Sequence, residues 1–492
     1  MTGSRRRGAS STEPWSRWGR CQMQAIDLAF AGAFEQARLV RERVVTAREV
    51  VEATLQTIAA NEASLNAFRT VLADQALAEA ARLDASGAPS SAPLAGVPVA
   101  IKDDTDVAGA GTAWGAGMSG APKAEDAPVV ARLRRAGAIV IGKTNVPEMD
   151  LWPWTSSATH GVTRNPWDLE RTPGGSSGGS AVAVAAGMCG FALGSDGGGS
   201  IRYPAALTGV FGIKPQRDRI PLGPDPHDAW NGLLALGPLT RSVRDAAAFL
   251  DATADTDGSY VETLRDEPRA LTIAVSFDPP PRSFARLSAE YRQAVEATAE
   301  LLGELGHRVI EAQIDYGPVM QNVTVRYAKG VAQDVAAFVD GADIERTTRR
   351  VAALGRRLSG RRLRRERAKE ADIARRMNTV FEHADVVLTP VTGGPAPLLD
   401  DIAGRGALRS LLASNVTAWA GPWNCIGQPA AAVPAGLDAS GLPVSVQLCG
   451  RRDDEATLLR LAAQIEHARP WASVRPPLPA GPGQDAEPNP PT

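Results

Sequence analysis

From residue 25 the apolar positions fall at helical spacing. Leu28, Phe34, Leu39, Val44, Val50, Leu55 and Ile58 recur across 25–83 at intervals that build apolar helix faces. Thr46 predicts the N-cap of a helix over 47–61, and Glu49 stands at the capping-box position three residues on. The run SGAPSSAP at 86–93 reads as a loop. Short apolar runs at 94–103, 138–141, 210–214, 271–277, 386–390, 431–434 and 444–448 predict strands. Helices are expected at 126–136, 241–250 (entered from Thr240), 290–306 and 455–466. The stretch 145–167 is loop-like and carries Trp152, Trp154, His160 and Trp167. A basic stretch over 344–376 interleaves Arg361, Arg362, Arg364, Arg365 and Arg367 with Glu345, Glu366 and Glu370. Without interleaved aromatic residues it reads as a solvated helix or lid rather than a nucleic-acid surface.

The two ends break the pattern. Residues 1–22 set five arginines against Glu13 with no apolar segment behind them, so they are expected to be a disordered tail rather than a secretory signal; Met23 offers a second start. Beyond 470 the chain turns proline-rich, and 471–492 is expected to be a second disordered tail. Between them lies one domain, 23–470, with an N-terminal helical region over 23–88 and a basic helical cover over 340–376.

Composition narrows the function classes. The 492 residues are 44% hydrophobic and 22% charged, and the net charge of −2 gives no field that favours nucleic acid or an anionic membrane. The four cysteines, Cys21, Cys189, Cys425 and Cys449, form no CxxC and point to a reducing, cytoplasmic setting. Five histidines without an HExxH pair argue against a metal, and no apolar run approaches the roughly 20 residues of a membrane span.

The chemistry is concentrated at 173–204, PGGSSGGSAVAVAAGMCGFALGSDGGGSIRYP. Two serine-bearing glycine loops, Gly174–Ser180 and Ser195–Ser200, bracket an apolar segment. A hydroxyl beside uncovered backbone N–H groups is what acyl transfer requires: a nucleophile with donors aimed at the developing oxyanion. Gly174–Gly178 also fits the GxSxG elbow of α/β-hydrolases, which would make Ser176 the nucleophile, but polar loop residues rather than a strand precede it. Lys102 closes the apolar run 94–103, an uncommon place for lysine unless it pairs with Asp103 or Asp104. Two nucleotide-binding patterns are set aside. In Gly137–Thr144 (GxxxxGKT) the middle residues are themselves a strand, and Gly115–Gly120 (GxGxxG) follows no strand.

Taken together, six blocks carry a resemblance. GVPVAIKD (96–103), GKTNVPE (142–148), TRNPWD (163–168), PGGSSGGSAVAVAAG (173–187), GSDGGGSIRYPAALTGVFGIKP (194–215) and GQPAAAVPAG with GLPVSVQLCG (427–450) stand in the order found in the amidase signature family of Ser–cis-Ser–Lys hydrolases. The resemblance implies an α/β fold, a mixed β-sheet core covered by helices on both sides. It implies Ser200 as nucleophile, Ser176 after a cis peptide as proton bridge and Lys102 as base. A lysine is a base only when neutral, which burial favours. Gly197, Gly198, Gly199 and Ser200 would supply the oxyanion hole, and Ser177 a supporting hydrogen bond. Asp196 and Arg202 read as an ion pair holding the loop, and Lys143 is the rival base. Met149, Asp150, Ser176 and Trp154 would line the substrate pocket, to which Trp114, Trp230 and Trp423 could add apolar faces. No cofactor or metal is implied. The expected substrates are small hydrophobic or aryl amides, with carbamates, urethanes and esters as further candidates, handled by a monomer or homodimer without nucleic acid or membrane. A glutamine-hydrolysing subunit of a tRNA-dependent amidotransferase is the alternative, but Tyr203 replaces the glutamine those subunits usually carry after the Ile-Arg pair.

Overall fold

The computed structural model describes residues 25–86, 92–117, 121–223, 226–266, 269–338, 344–403 and 417–478. The tail at 1–22 and most of the proline-rich tail lie outside them. Thirteen strands are present among the described residues: β1 (Phe68–Val71), β2 (Pro98–Lys102), β3 (Ile139–Thr144), β4 (Ser156–Ser157), β5 (Gly161–Val162), β6 (Phe191–Asp196), β7 (Phe211–Lys214), β8 (Ala235–Thr240), β9 (Thr272–Val275), β10 (Arg308–Glu311), β11 (Val386–Pro390), β12 (Ala430–Leu437) and β13 (Pro443–Cys449). Eleven of them form one sheet in the order β1-β3-β2-β6-β8-β7-β12-β13-β11-β9-β10. β3, β2 and β6 run parallel, as do β11, β9 and β10, and the pairings between these groups are antiparallel. The expected mixed sheet is thus observed.

Strand periodicity divides the core. Val99, Ile101, Phe191, Leu193, Ala431 and Val433 point to one face, where helices Pro128–Arg135, Val243–Thr253 and Glu455–Ala468 cover them. Ala100, Ala192 and Ala432 point to the other. Their small size lets helix Gly178–Ala185, buried at every position, lie directly on the sheet beside Arg202–Thr208. Burying a Leu or Phe side chain in such a core contributes about 1.5–3 kcal/mol.

The helix expected at 47–61 runs Ala47–Leu65 and begins with the complete Thr46/Glu49 capping box. The GKT of the nucleotide-loop pattern lies inside β3, as its rejection required. Helix Val243–Thr253 starts at the Ser242 cap rather than at Thr240, because 235–240 is occupied by β8. The basic stretch forms three helices, Arg346–Arg357, Gly360–Ala368 and Glu370–Met377. The first of them packs Val351 and Ala352 into a cluster with Trp152, Trp154 and Val331. The boundary expected at 470 is corrected: Trp471 is buried and its indole N–H donates to the Arg241 carbonyl at 3.0 Å, so the folded body includes this turn.

Candidate active site

The parallel register of β2 and β6 builds the centre of the site. Val99 stands opposite Phe191, Ala100 opposite Ala192 and Ile101 opposite Leu193, so Lys102 and Ser195 leave the sheet at the same edge. Crevices at the carboxyl ends of parallel strands are where open α/β sheets bind ligands. The loop before helix Gly178–Ala185 crosses this edge, and its Gly175–Ser176 peptide bond is cis. A Cβ on Gly175 would stand 2.8 Å from the Trp152 carbonyl oxygen, so only glycine permits this approach.

Lys102 Nζ, fully buried, donates to Ser176 Oγ at 2.7 Å and to Ser195 Oγ at 2.7 Å. Two carboxylates also face it, Asp150 Oδ1 at 3.1 Å and Asp104 Oδ2 at 3.4 Å. Ser195 in turn donates to Asp104 Oδ2 through a short hydrogen bond. Burial pushes the Asp150 carboxyl up to about 8, with Lys102 opposing and Asp104 adding to the rise. Burial acts on Asp104 in the same direction, but Lys102 and the hydroxyls of Ser195 and Thr105 hold it below the usual carboxylate range. Two carboxyls this close to one another cannot ionise independently.

Ser200 follows β6 on the loop Gly197–Ser200. It is half-buried and lines a cleft of about 530 Å³ together with Gly175, Gly198, Asp150, Trp152 and Trp230. The far wall comes from helix Val319–Phe338, through Met320, Val323 and Tyr327. Ser177 stitches the two loops: its N–H donates to the Ser200 carbonyl and its Oγ to the Ser195 carbonyl, both at 3.2 Å. The Asp196–Arg202 ion pair is present, with both side chains fully buried and Nε–Oδ2 at 3.0 Å. Arg202 also donates to Asn424 Oδ1, Gln447 Oε1 and the Ala420 carbonyl. Despite burial, Arg202 holds the Asp196 carboxyl well below the usual range.

Three sequence expectations need correction. Gly199 does not offer an oxyanion donor, because its N–H already donates to Asp196 Oδ1 at 2.6 Å; Gly197, Gly198 and Ser200 are left for that role. Met149 is buried in the cluster with Leu151 and Trp152, and Trp154 stacks on Trp152 and lines a neighbouring cleft of about 560 Å³, so neither lines the Ser200 cleft. Of the three further tryptophans, Trp230 reaches the cleft. Trp423 is buried against Phe381, and Trp114 packs with the Met149 cluster. Lys143 donates to Thr112 Oγ1 at 2.6 Å and pairs with Asp103 at 2.9 Å, remote from both serines in its contacts. Asp103 pairs with Arg69 and Lys143 rather than Lys102.

Sequence reasoning missed Ser195 as a partner of Lys102 and missed the wall on 319–338. Its position five residues before Ser200, at the end of an apolar run flanked by Gly194 and Asp196, was the available signal for Ser195.

A family model described as Amidase matches residues 49–459. AmiB2 of Mycobacterium tuberculosis is 47% identical over 464 residues, covering 92% of this chain and 99% of that protein. The structure of a 6-aminohexanoate cyclic dimer hydrolase complexed with substrate superposes with a TM-score of 0.84 at 30% identity, covering 91% of this chain and 99% of that one. A bacterial aryl acylamidase of the amidase signature enzymes superposes with a TM-score of 0.80 at 26% identity, covering 90% and 96%.

Proposed function

From the premise that this chain belongs to the amidase family and is an enzyme that hydrolyses amide carbon–nitrogen bonds, we propose that it acts on small hydrophobic or aryl amides through an acyl-enzyme on Ser200. The observation that carries this reading is the arrangement around one buried amine: Lys102 Nζ bonded to Ser176 Oγ at 2.7 Å, directly behind Gly175 and Asp150, which line a largely apolar cleft together with Ser200.

Ser200 Oγ attacks the amide carbon while its proton passes to Ser176, and the Ser176 proton passes to Lys102. The carbonyl oxygen gathers charge against the N–H groups of Gly197, Gly198 and Ser200, and each such donor is worth about 3 kcal/mol of transition-state stabilisation. The proton returns through Ser176 to the leaving amine. Water then enters by the same route in reverse and frees the acid.

Trp152, Trp230, Met320, Val323 and Tyr327 support a hydrophobic or aryl group in the cleft. Apolar faces of this size suit rings and alkyl chains better than a zwitterion, and the donors of Trp230 and Tyr327 are already spent on Asp334 and the Leu151 carbonyl. Carbamates, urethanes and esters present the same carbonyl geometry and belong to the same substrate panel. The test compares kcat/KM for an anilide, a short aliphatic amide, an aryl carbamate and glutamine on the purified chain. The anilide is expected to rank first. Glutamine ranking first would overturn the hydrophobic reading in favour of an amidotransferase subunit.

A further inference from the structure

The reading of Lys102 as the base leaves one proton unaccounted for. An ammonium cannot accept a proton from Ser176, so Lys102 must first lose one. Its side chain has no exposed surface, so the proton passes to a neighbouring group rather than directly to solvent. Only two carboxylates among the described residues face the amine, and their surroundings differ. Both oxygens of Asp104 already accept hydroxyl protons, Oδ1 from Thr105 at 2.8 Å and Oδ2 from Ser195. That arrangement favours the ionised form. Asp150 Oδ1 is buried and lies 3.1 Å from Nζ with no hydroxyl or amide donor on it among the described residues, and the Asp150 carboxyl shares a hydrogen bond with Asp104 in which the protonated form of Asp150 is the one favoured.

We infer that Asp150 is a catalytic residue that takes the proton from Lys102 and so converts the amine into a base. The inference rests on the reading of Lys102 given above. The step is balanced: one N–H bond of the ammonium breaks, one O–H bond forms on Asp150 Oδ1, and an ammonium–carboxylate pair becomes an amine and a carboxylic acid with no proton gained or lost. The neutral amine then receives the Ser176 proton as Ser200 attacks.

The local backbone is shaped for this contact. Met149 and Asp150 both lie in the left-handed region, at φ +53° and +54°, which non-glycine residues enter only when the surroundings hold them there. The groups that face Asp150 are Lys102 at the end of β2, Asp104 just beyond it and Tyr327 from helix Val319–Phe338. The Tyr327 hydroxyl donates to the Leu151 carbonyl, and burial pushes the phenol up, so it adds no charge. Burial raises the affinity of the Asp150 carboxyl for a proton, which favours the amine and carboxylic-acid form of the pair over the ammonium and carboxylate form.

The experiment is the pH profile of kcat/KM for an anilide with the wild type, Asp150→Asn and Asp150→Glu. Asp150→Asn is expected to lower kcat about 100-fold at neutral pH with little change in KM. Its acid limb should move to higher pH, because the active wild-type pair keeps a proton on Asp150, whereas the variant becomes active only after the site has lost that proton to solvent. Asp150→Glu should keep the wild-type limb and recover most of the lost rate. If Asp150 only held Lys102 charged, its removal would ease deprotonation and move the limb to lower pH. That result, or an unchanged limb, overturns the inference. Should the asparagine variant fail to fold, the glutamate variant decides: a limb displaced from the wild type with the fold intact overturns it as well. A wild type that neither hydrolyses amides nor takes a serine-directed phosphonate would instead refute the amidase reading itself.

Discussion

Lys102 Nζ and Ser195 Oγ lie 2.7 Å apart because β2 and β6 are parallel neighbours with Ile101 opposite Leu193. The residues that end the two strands must then emerge together. The Lys102 amine is held by sheet register on one side and by the cis-Ser176 loop on the other. A rigid strand end positions a side chain more precisely than a loop does.

Replacing Lys102 by arginine keeps the charge and most of the volume but removes any neutral form, since the guanidinium pKa exceeds about 12. Lys102→Arg should be as inactive as Lys102→Ala, with both variants folded by circular dichroism. Substantial activity in the arginine variant would move attention to Lys143, whose contacts with Asp103, Thr112 and Gly111 argue for a structural role.

Asp196→Asn leaves the Arg202 guanidinium buried without its counter-charge, which should cost about 3–5 kcal/mol in denaturant unfolding. The Asp196 carboxyl is depressed in the folded state, so its contribution is complete above the unfolded value of about 3.9 and is lost as pH falls below it. The stability gap between wild type and variant should therefore be constant from mildly acidic to neutral pH and shrink at stronger acidity. A gap that instead narrows on approach to neutral pH would contradict the assignment.

Trp230 lines the cleft, meets Tyr327 edge-on and donates its indole N–H to Asp334 at 2.8 Å. Trp230→Ala should raise KM for an anilide about tenfold, the loss of roughly 1.4 kcal/mol of apolar contact. KM for acetamide, which is too small to reach this wall, should change little. Equal losses for both substrates would show that the wall supports the catalytic loop rather than binding the aryl group.

How much of this was legible in the sequence depended on whether a feature was local. Ser176, Ser177, Asp196, Ser200 and Arg202 fall within 27 consecutive residues and Lys102 ends a recognisable strand, so these residues could be singled out from the chain, while the roles given to them came from the resemblance to the amidase signature family. The Asp196–Arg202 pair and the Thr46 capping box are contacts between near neighbours and were equally visible. Ser195 becomes a partner of Lys102 only through the pairing of strands 93 residues apart. β8 was hidden because ALGPLT carries Gly237 and Pro238, residues that sequence patterns assign to turns, yet it pairs with β6 across Leu193–Pro238. Gly199 looked like a donor until the fold placed Asp196 beneath its N–H. Met149 and Trp154 flank cleft residues in the chain but turn into another cluster, which spacing alone does not reveal.

The most direct test is to map the covalent adduct formed with an aryl phosphonate by peptide mass spectrometry, alongside the turnover of Ser200→Ala. The account predicts the label on Ser200, no label in Ser200→Ala, and turnover lowered by about 10⁴-fold or more in that variant. A label on Ser176, or Ser200→Ala retaining both label and turnover, would contradict it.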